Sequence, residues 1–167
     1  MRTAGILMPI TSLPSPYGVG TLGQCARDFI QFLHRAGQTY WQILPICPTG
    51  YGDSPYQSFS SYAGNPYMID FDDLKKEGLL QEEEYASISW GDNPARVDYS
   101  LLYSHKFSIL RIACSRISGV LSERFQTFCK EQNVWLNDYA LYMSIKDYYD
   151  GQSWQEWPET LQKREKD

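Results

Sequence analysis

The sequence predicts an α/β fold that opens with a strand–helix–strand unit and continues as a mostly helical segment. Two short runs rich in apolar, β-branched and aromatic residues, at 5–10 and 39–46, have the length of strands. Between them, apolar residues recur at helical spacing, and from residue 71 onward the spacing is helical again. These two patterns together indicate the α/β class.

Each element of the opening unit has its own signals. Residues 5–10 form an apolar run closed by Pro9, as expected of a buried first strand. The helix that follows ends near Gly37, and its apolar positions are Leu22, Cys25, Ala26, Phe29, Ile30 and Leu33. Residues 39–46 then predict a second strand closed by Pro45 and Pro48.

Short elements are predicted next. Residues 65–70 suggest an extended piece, because a residue before proline avoids the helical region. Asp72 suits the cap of a short helix that runs through residues 75–77 and ends at Gly78. Three glutamates at 82–84 place negative charge in the first turn of the next helical segment, and Gln81 precedes them at the cap position.

The helical segment contains one long apolar stripe between residues 99 and 131. Its positions step by four and three, which predicts the buried face of an ordinary helix rather than a coiled coil: Tyr103, Phe107, Leu110, Cys114, Ile117, Leu121, Phe125 and Phe128. Gly119 costs roughly 1 kcal/mol relative to Ala and marks a bend or break. A further helix is predicted at 136–148, with Gly151 after its end.

The loop at residues 50–60 has the composition of a sugar-binding loop. Gly50 and Gly52 allow unusual backbone angles, and Tyr51 and Tyr56 offer flat apolar faces with hydroxyl tips. The segment 36–74 contains no Lys or Arg, which disfavours a phosphate or nucleotide ligand. The alternative is an ordinary surface loop whose tyrosines pack on their own domain, against residues 14–17.

Composition excludes several classes of function. The net charge of −5 disfavours binding to nucleic acid, and no apolar run approaches the roughly 18 residues of a membrane-spanning helix. Prolines interrupt the amino terminus too early for a signal peptide, so we expect a cytoplasmic protein. Four cysteines and two histidines are widely scattered, which predicts free thiols, no metal site and no cofactor.

Four motifs carry a resemblance to a known family. They are residues 5–20 (Gly-Ile-Leu-Met-Pro-Ile-Thr-Ser-Leu-Pro-Ser-Pro-Tyr-Gly-Val-Gly), 40–45 (Tyr-Trp-Gln-Ile-Leu-Pro), 50–60 and 63–66 (Ala-Gly-Asn-Pro). In this order and spacing they closely resemble the opening of the 4-α-glucanotransferases, also called amylomaltases or disproportionating enzymes, of glycoside hydrolase family 77. Weaker likeness continues through 97–99, 135–141 and 153–158.

The resemblance implies a fold and a domain organisation. It implies the opening part of a (β/α)8 TIM barrel with a mostly helical insertion subdomain: residues 1–70 as the first barrel units and 71–167 as the insertion and the start of the next barrel segment. A complete barrel takes about 250 residues, so this would be an amino-terminal fragment. We expect such a fragment to associate or to exchange elements.

The resemblance also implies an activity. Members transfer α-1,4-glucan segments by a retaining double displacement, and the substrate-binding residues implied here are Tyr51, Asp53, Ser54, Tyr56 and Gln57. Asp53 could instead hold amides of its own loop. The family's catalytic carboxylates lie in motifs absent from these residues, and the neighbouring Asp70, Asp72 and Asp73 are expected to cap a helix rather than catalyse.

Two other functions remain open on sequence grounds. One is a stand-alone carbohydrate-binding module that uses the same tyrosines without catalysis. The other is a helical interaction domain built on the stripe that begins at Tyr103.

Overall fold

The computed structural model describes residues 2–165, without the side chain of Tyr51. The chain divides into two compact units, Met1–Gly119 and Val120–Asp167. Within the described residues, no helix combines the length and the apolar character needed to cross a bilayer. The division at residue 70 between barrel and insertion stays a prediction.

The first unit opens with the strand–helix–strand arrangement that the sequence predicts. Strand β1 (Gly5–Leu7) and strand β2 (Tyr40–Gln42) pair in parallel, with Gly5 opposite Tyr40, and helix α1 (Gln24–Arg35) connects them. A Cβ at Gly5 would lie 2.6 Å from the carbonyl oxygen of Tyr40, so the close approach of the strands requires glycine there. Both strands are shorter than predicted, because a 3₁₀ turn begins at Ile10 and the prolines lack a donor for the ladder.

The prediction of a buried first strand is wrong for this structure. Ile6 is 40% exposed and Leu7 is 58% exposed. A parallel strand becomes buried when it has neighbours on both edges and layers on both faces. The sheet described here has two strands, so each of them keeps one free edge.

One buried cluster of this unit lies where α1 packs beside the strands, and it consists of Ile10, Leu13, Ala26 and Met68. The largest fully buried side chains belong to later elements and include Phe71, Leu80, Leu102 and Ile109. The indole N–H of Trp41 donates to the carbonyl of Met8 at 2.8 Å, which fixes β2 against the end of β1.

Helix α2 (Phe71–Lys76) follows a 3₁₀ turn at Pro66–Met68, where the sequence predicted an extended piece. The turn forms because the side chain of Asn65 accepts from the amide of Tyr67 and caps it. The predicted cap at Asp72 is also wrong, since Asp70 accepts the amide of Asp73. Gly78 ends the segment at φ +76°, as predicted.

The long predicted helix is two helices, α3 (Tyr99–Ser115) and α4 (Gly119–Glu131). The break falls at Gly119, whose φ is +53°, as the sequence allowed. The predicted buried face is displaced, because Tyr103 is 51% exposed and Phe107 is 40% exposed. The buried positions of α3 are Leu102, Lys106, Ile109, Leu110 and Ala113.

The second unit contains the rest of α4, helix α5 (Leu136–Tyr148) and helix α6 (Glu159–Gln162). The bounds of α5 agree with the prediction, and Gly151 follows it at φ +79°. Trp157 is buried, and the rings of Tyr142 and Tyr149 pack on it at 5.4 Å and 6.4 Å.

Candidate functional site

The Tyr-rich loop, residues 50–60, lies beyond the carboxyl end of β2 and is closed on itself. An antiparallel bridge joins Thr49 to Ser58, and the amide of Gly50 donates to the carbonyl of Gln57 at 2.9 Å. The loop therefore returns to its starting point within one short hairpin-like turn. Its ends are fixed by backbone hydrogen bonds rather than by side chains.

The backbone inside the loop adopts conformations that few residues tolerate. Gly52 has φ +79° and Asp53 has φ +54°, both in the left-handed region. The amide of Asp53 donates to the carbonyl of Gly50 at 3.2 Å, and the hydroxyl of Ser54 accepts the amide of Tyr56 at 3.3 Å. Gly52 thus provides the unusual backbone angle that the sequence indicated. Asp53 has a strained backbone, and the surrounding hydrogen bonds keep it in that conformation.

Asp53 is held by a residue far away in the sequence. The hydroxyl of Tyr103, on α3, donates a hydrogen bond to the carboxylate of Asp53. In the described residues the Asp53 carboxylate accepts from Tyr103 rather than from amides of its own loop, so the alternative role is not observed. Asp53 also lines a small cavity of about 40 Å³ together with Pro55, Tyr67 and Tyr99.

The tyrosines around Asp53 stay protonated at neutral pH. Burial, and then the charge of Asp53, raises the pKa of Tyr67 to about 12. Partial burial and the hydrogen bond to Asp53 raise the pKa of Tyr103, and burial raises that of Tyr99. Neutral hydroxyls can both donate and accept, so this cluster suits a ligand with many hydroxyl groups.

The predicted site residues are distributed unevenly over the loop. Tyr56 is 73% exposed, so its ring does not pack against the domain. Gln57 is exposed, whereas Asp53 and Ser54 are half-buried. The side chain of Tyr51 lies outside the described residues. The described part of the loop therefore exposes the ring of Tyr56 and the amide of Gln57, with the half-buried Asp53 and Ser54 beside them.

Sequence reasoning missed the contribution of α3. Tyr99 and Tyr103 are one helical turn apart, and their rings lie 6.2 Å from each other. Tyr67 packs on Tyr103 at 5.9 Å. The spacing of four between the two tyrosines is the available signal, whereas the predicted buried stripe includes Tyr103 alone.

The aspartates at 70–73 serve structural roles, as predicted. Asp70 accepts from the hydroxyl of Thr21 at 2.5 Å in addition to capping α2. Asp72 accepts from the hydroxyl of Tyr85 at 3.1 Å. Asp73 forms a paired hydrogen bond with Arg27, which lowers the pKa of its carboxyl. Their carboxylates are therefore committed to contacts within the protein.

A metal centre is not formed by the described residues, within which no group of His, Cys, Asp and Glu is arranged to hold an ion. The four cysteines are free thiols, as predicted.

Comparison with known proteins places the chain in a family. Residues 8–167 match the family described as 4-alpha-glucanotransferase, glycoside hydrolase family 77. The chain is similar to the 4-alpha-glucanotransferase of Thermus thermophilus, with 48% identity over 98% of this chain and 33% of that protein. It is 44% identical to the 4-alpha-glucanotransferase of Clostridium butyricum, over 94% of this chain and 32% of that one.

A solved structure is also similar over nearly the whole chain. It is that of the amylomaltase from Streptococcus agalactiae in complex with acarbose, with a TM-score of 0.94 and 39% identity, covering 99% of this chain and 34% of that one. The chain thus spans about a third of the length of the relatives it matches. On the match over residues 8–167, the chain belongs to the 4-alpha-glucanotransferases of glycoside hydrolase family 77.

Proposed function

We propose that this chain forms part of the glucan-binding groove of a 4-α-glucanotransferase, which transfers α-1,4-glucan segments to the 4-hydroxyl of an acceptor glucose or glucan. The observation that carries the proposal is the closed Tyr-rich loop, which holds the ring of Tyr56 73% exposed. An exposed aromatic face on a rigid loop is suited to stacking against the apolar face of a sugar ring.

The polar groups of the loop suit the hydroxyl edge of the same sugar. The carboxylate of Asp53 keeps further lone pairs after accepting from Tyr103, and the hydroxyl of Ser54 still has its own proton to donate. Gln57 is exposed and offers both a donor and an acceptor. Tyr51 is proposed as a second stacking ring, at a more distant glucose.

The bond-making groups are proposed to lie outside these residues. A retaining transfer needs two carboxyl groups about 5–5.5 Å apart, of which one attacks the sugar and the other first donates and later accepts a proton. Asp70, Asp72 and Asp73 are engaged in a cap, a tyrosine contact and an ion pair. The 167 residues alone are therefore proposed to be inactive.

The loop would also decide between transfer and hydrolysis. Water and an acceptor sugar compete for the same glycosyl-enzyme intermediate, so transfer requires that the acceptor be held in place and water be displaced. A ring fixed above the acceptor would do both, because it provides stacking contact and covers the sugar face.

The test is sugar binding by the 167-residue chain with Tyr56→Ala. A stacking contact contributes about 0.5–1.5 kcal/mol beyond area burial, so maltotriose should bind about three- to tenfold more weakly. The melting temperature should not change, because the ring is exposed. Tyr148→Ala is the matched control, since Tyr148 is 80% exposed and lies in the second unit.

Two results would contradict the proposal. Equal maltotriose binding by Tyr56→Ala and the parent chain would remove the loop from the binding site. A melting temperature lowered by several degrees would mean that the ring packs on the domain after all.

The alternative functions are less well supported. A carbohydrate-binding module would use the same loop. However, the relatives that match nearly the whole of this chain are named as transferases. A helical interaction surface was predicted on one continuous stripe, and that helix is broken at Gly119.

A further inference from the structure

The second unit contains a cavity of its own, between α5 and the segment that includes α6. Its volume is about 320 Å³, whereas an apolar cavity of roughly 150 Å³ is enough to bind benzene. Its apolar lining consists of Leu141, Tyr142, Ile145, Trp154, Trp157 and Leu161. The cavity therefore has the size and the surface to hold a small aromatic ring.

One polar group in the wall of this cavity lacks a hydrogen-bond partner. Trp157 is 5% exposed, and within the described residues its buried indole N–H has no acceptor. Buried N–H donors are nearly always paired, because an unpaired donor loses its bonds to water without replacement. The indole N–H groups of Trp41 and Trp135, by contrast, donate to a carbonyl and to a glutamine side chain. The unpaired N–H of Trp157 points to an acceptor supplied by a ligand.

The ring of Trp157 is fixed in its position. Tyr142 and Tyr149 pack on it, with ring centres at 5.4 Å and 6.4 Å, and its backbone carbonyl accepts from the side-chain nitrogen of Gln162 at 2.6 Å. The same nitrogen donates to the carbonyl of Gln155 at 3.0 Å, which leaves the side-chain oxygen of Gln162 out of both bonds. The lining thus offers one fixed donor and one acceptor.

The charged groups of the lining neutralise each other. The guanidinium of Arg164 donates to the carboxylate of Asp138 at 2.8 Å, so the cavity favours neither an anion nor a cation. Water suits the cavity poorly, because a buried water typically makes about three hydrogen bonds and most of this lining is apolar. A hydroxyl group on an apolar ring fits better, since its oxygen accepts from Trp157 while its proton is donated to Gln162.

We propose that this cavity binds a small phenol, a single aromatic ring with one hydroxyl group, whose oxygen accepts a hydrogen bond from the indole N–H of Trp157 and whose ring packs between Leu141 and Leu161. All lining residues belong to the second unit, so the inference does not rest on the proposed glucan-binding function. The bound ring contacts α5 and α6 together and stabilises their packing.

The test compares 4-methylphenol with toluene, which has the same ring and methyl group but no hydroxyl. NMR of the ¹⁵N-labelled 167-residue chain follows the indole N–H signal of Trp157 during each titration. 4-Methylphenol should move this signal downfield and bind at least as tightly as toluene. In a cavity without a partner for the hydroxyl, toluene would bind more tightly, because the hydroxyl would lose its bonds to water.

Two variants isolate the hydrogen bond. Trp157→Phe should weaken 4-methylphenol binding about tenfold, the loss of one hydrogen bond, and change toluene binding far less, so that toluene becomes the preferred ligand. Trp154→Phe is the matched control, because it removes another indole N–H from the same lining, on a residue that is 48% exposed, and should leave the preference for 4-methylphenol unchanged. The titrations of the parent chain decide the question even where Trp157→Phe does not fold.

Three results would overturn the inference. The first is tighter binding of toluene than of 4-methylphenol by the parent chain, and the second is a Trp157 signal that does not move at saturating 4-methylphenol. The third is a signal that moves with protein concentration alone, because a second copy would then occupy the cavity. Maltotriose binding, measured on the same samples, bears on the proposed function alone, so the two proposals fail separately.

Discussion

Lys106 offers the sharpest test of how this structure is stabilised. Its side chain is fully buried on α3, where its ammonium donates to the carbonyl of Ile69 at 2.6 Å and lies 4.0 Å from the ring centre of Phe71. Burial lowers the pKa of Lys106 to about 7, and the charge of Asp70 opposes that change in part. The perturbation we choose is Lys106→Met, which keeps the length and apolar volume of the side chain.

The direction of the pH dependence follows from proton linkage. In the unfolded chain this lysine titrates near its ordinary value of 10.5, so between pH 7 and 10.5 the unfolded state binds more protons than the folded state. The free energy of unfolding then rises with pH, by at most about 1.4 kcal/mol per pH unit. From about pH 7 to about pH 9 the gain is roughly 2–3 kcal/mol.

The assay is urea unfolding of both chains at several pH values below about 9.5, since ionisation of tyrosines in the unfolded chain lowers stability above that. At acidic pH, Lys106→Met removes a buried charge but also the hydrogen bond to the Ile69 carbonyl, so the test is how the stability difference between the two chains changes with pH. The parent chain should gain the 2–3 kcal/mol relative to Lys106→Met as the pH rises. Lys130→Met, at an exposed position of α4, is the control.

Parallel stability curves for the parent chain and Lys106→Met would refute the reasoning. They would mean that the ammonium stays charged in the folded state, with the Phe71 ring and the Ile69 carbonyl compensating for its desolvation.

The other predictions concern activity, assembly and one close contact. Incubation of the 167-residue chain with maltotriose should release no glucose and build no longer oligosaccharides, and dose-dependent disproportionation would contradict the assignment of the reacting groups elsewhere. Sedimentation should detect species heavier than the monomer, because Ile6 and Leu7 are exposed on a strand with a free edge; a sharply unfolding monomer would contradict this. Gly20→Ala should lower the melting temperature, since its Cβ would lie 1.9 Å from the carbonyl oxygen of Ile10, whereas Gly64→Ala, with open space around it, should not.

Local signals in the sequence predict several helix ends well. Gly78, Gly119 and Gly151 mark helix boundaries with positive φ, and the bounds of α5 agree with its apolar period. These features depend on residues within a few positions of each other. Backbone preference and helical spacing are therefore sufficient to find them.

The predicted buried face of α3 is wrong at Tyr103 and Phe107 and right at Leu110, because the partner surface decides which positions are buried. Hydrophobicity alone predicts that Tyr103 and Phe107 are buried. In the structure the methylenes of Lys106 lie in the core, and its ammonium contacts the carbonyl of Ile69 and the ring of Phe71. An analysis of hydrophobic spacing scores every lysine as a polar residue and so does not predict that Lys106 is buried. The structure places it inside because its amphipathic side chain has partners at both ends.

The contact between Tyr103 and Asp53 shows why the candidate site could be predicted only in part. The two residues are 50 positions apart, so no local pattern in the sequence connects them. The loop composition indicated Asp53 as a sugar ligand, and helical spacing assigned Tyr103 to a core face. Once they are joined, the strained Asp53 backbone depends on α3, and a change on that helix should alter the loop that presents Tyr56. The loop after β2 and helix α3 therefore contribute to one candidate site, even though the resemblance assigns them to separate parts of the fold.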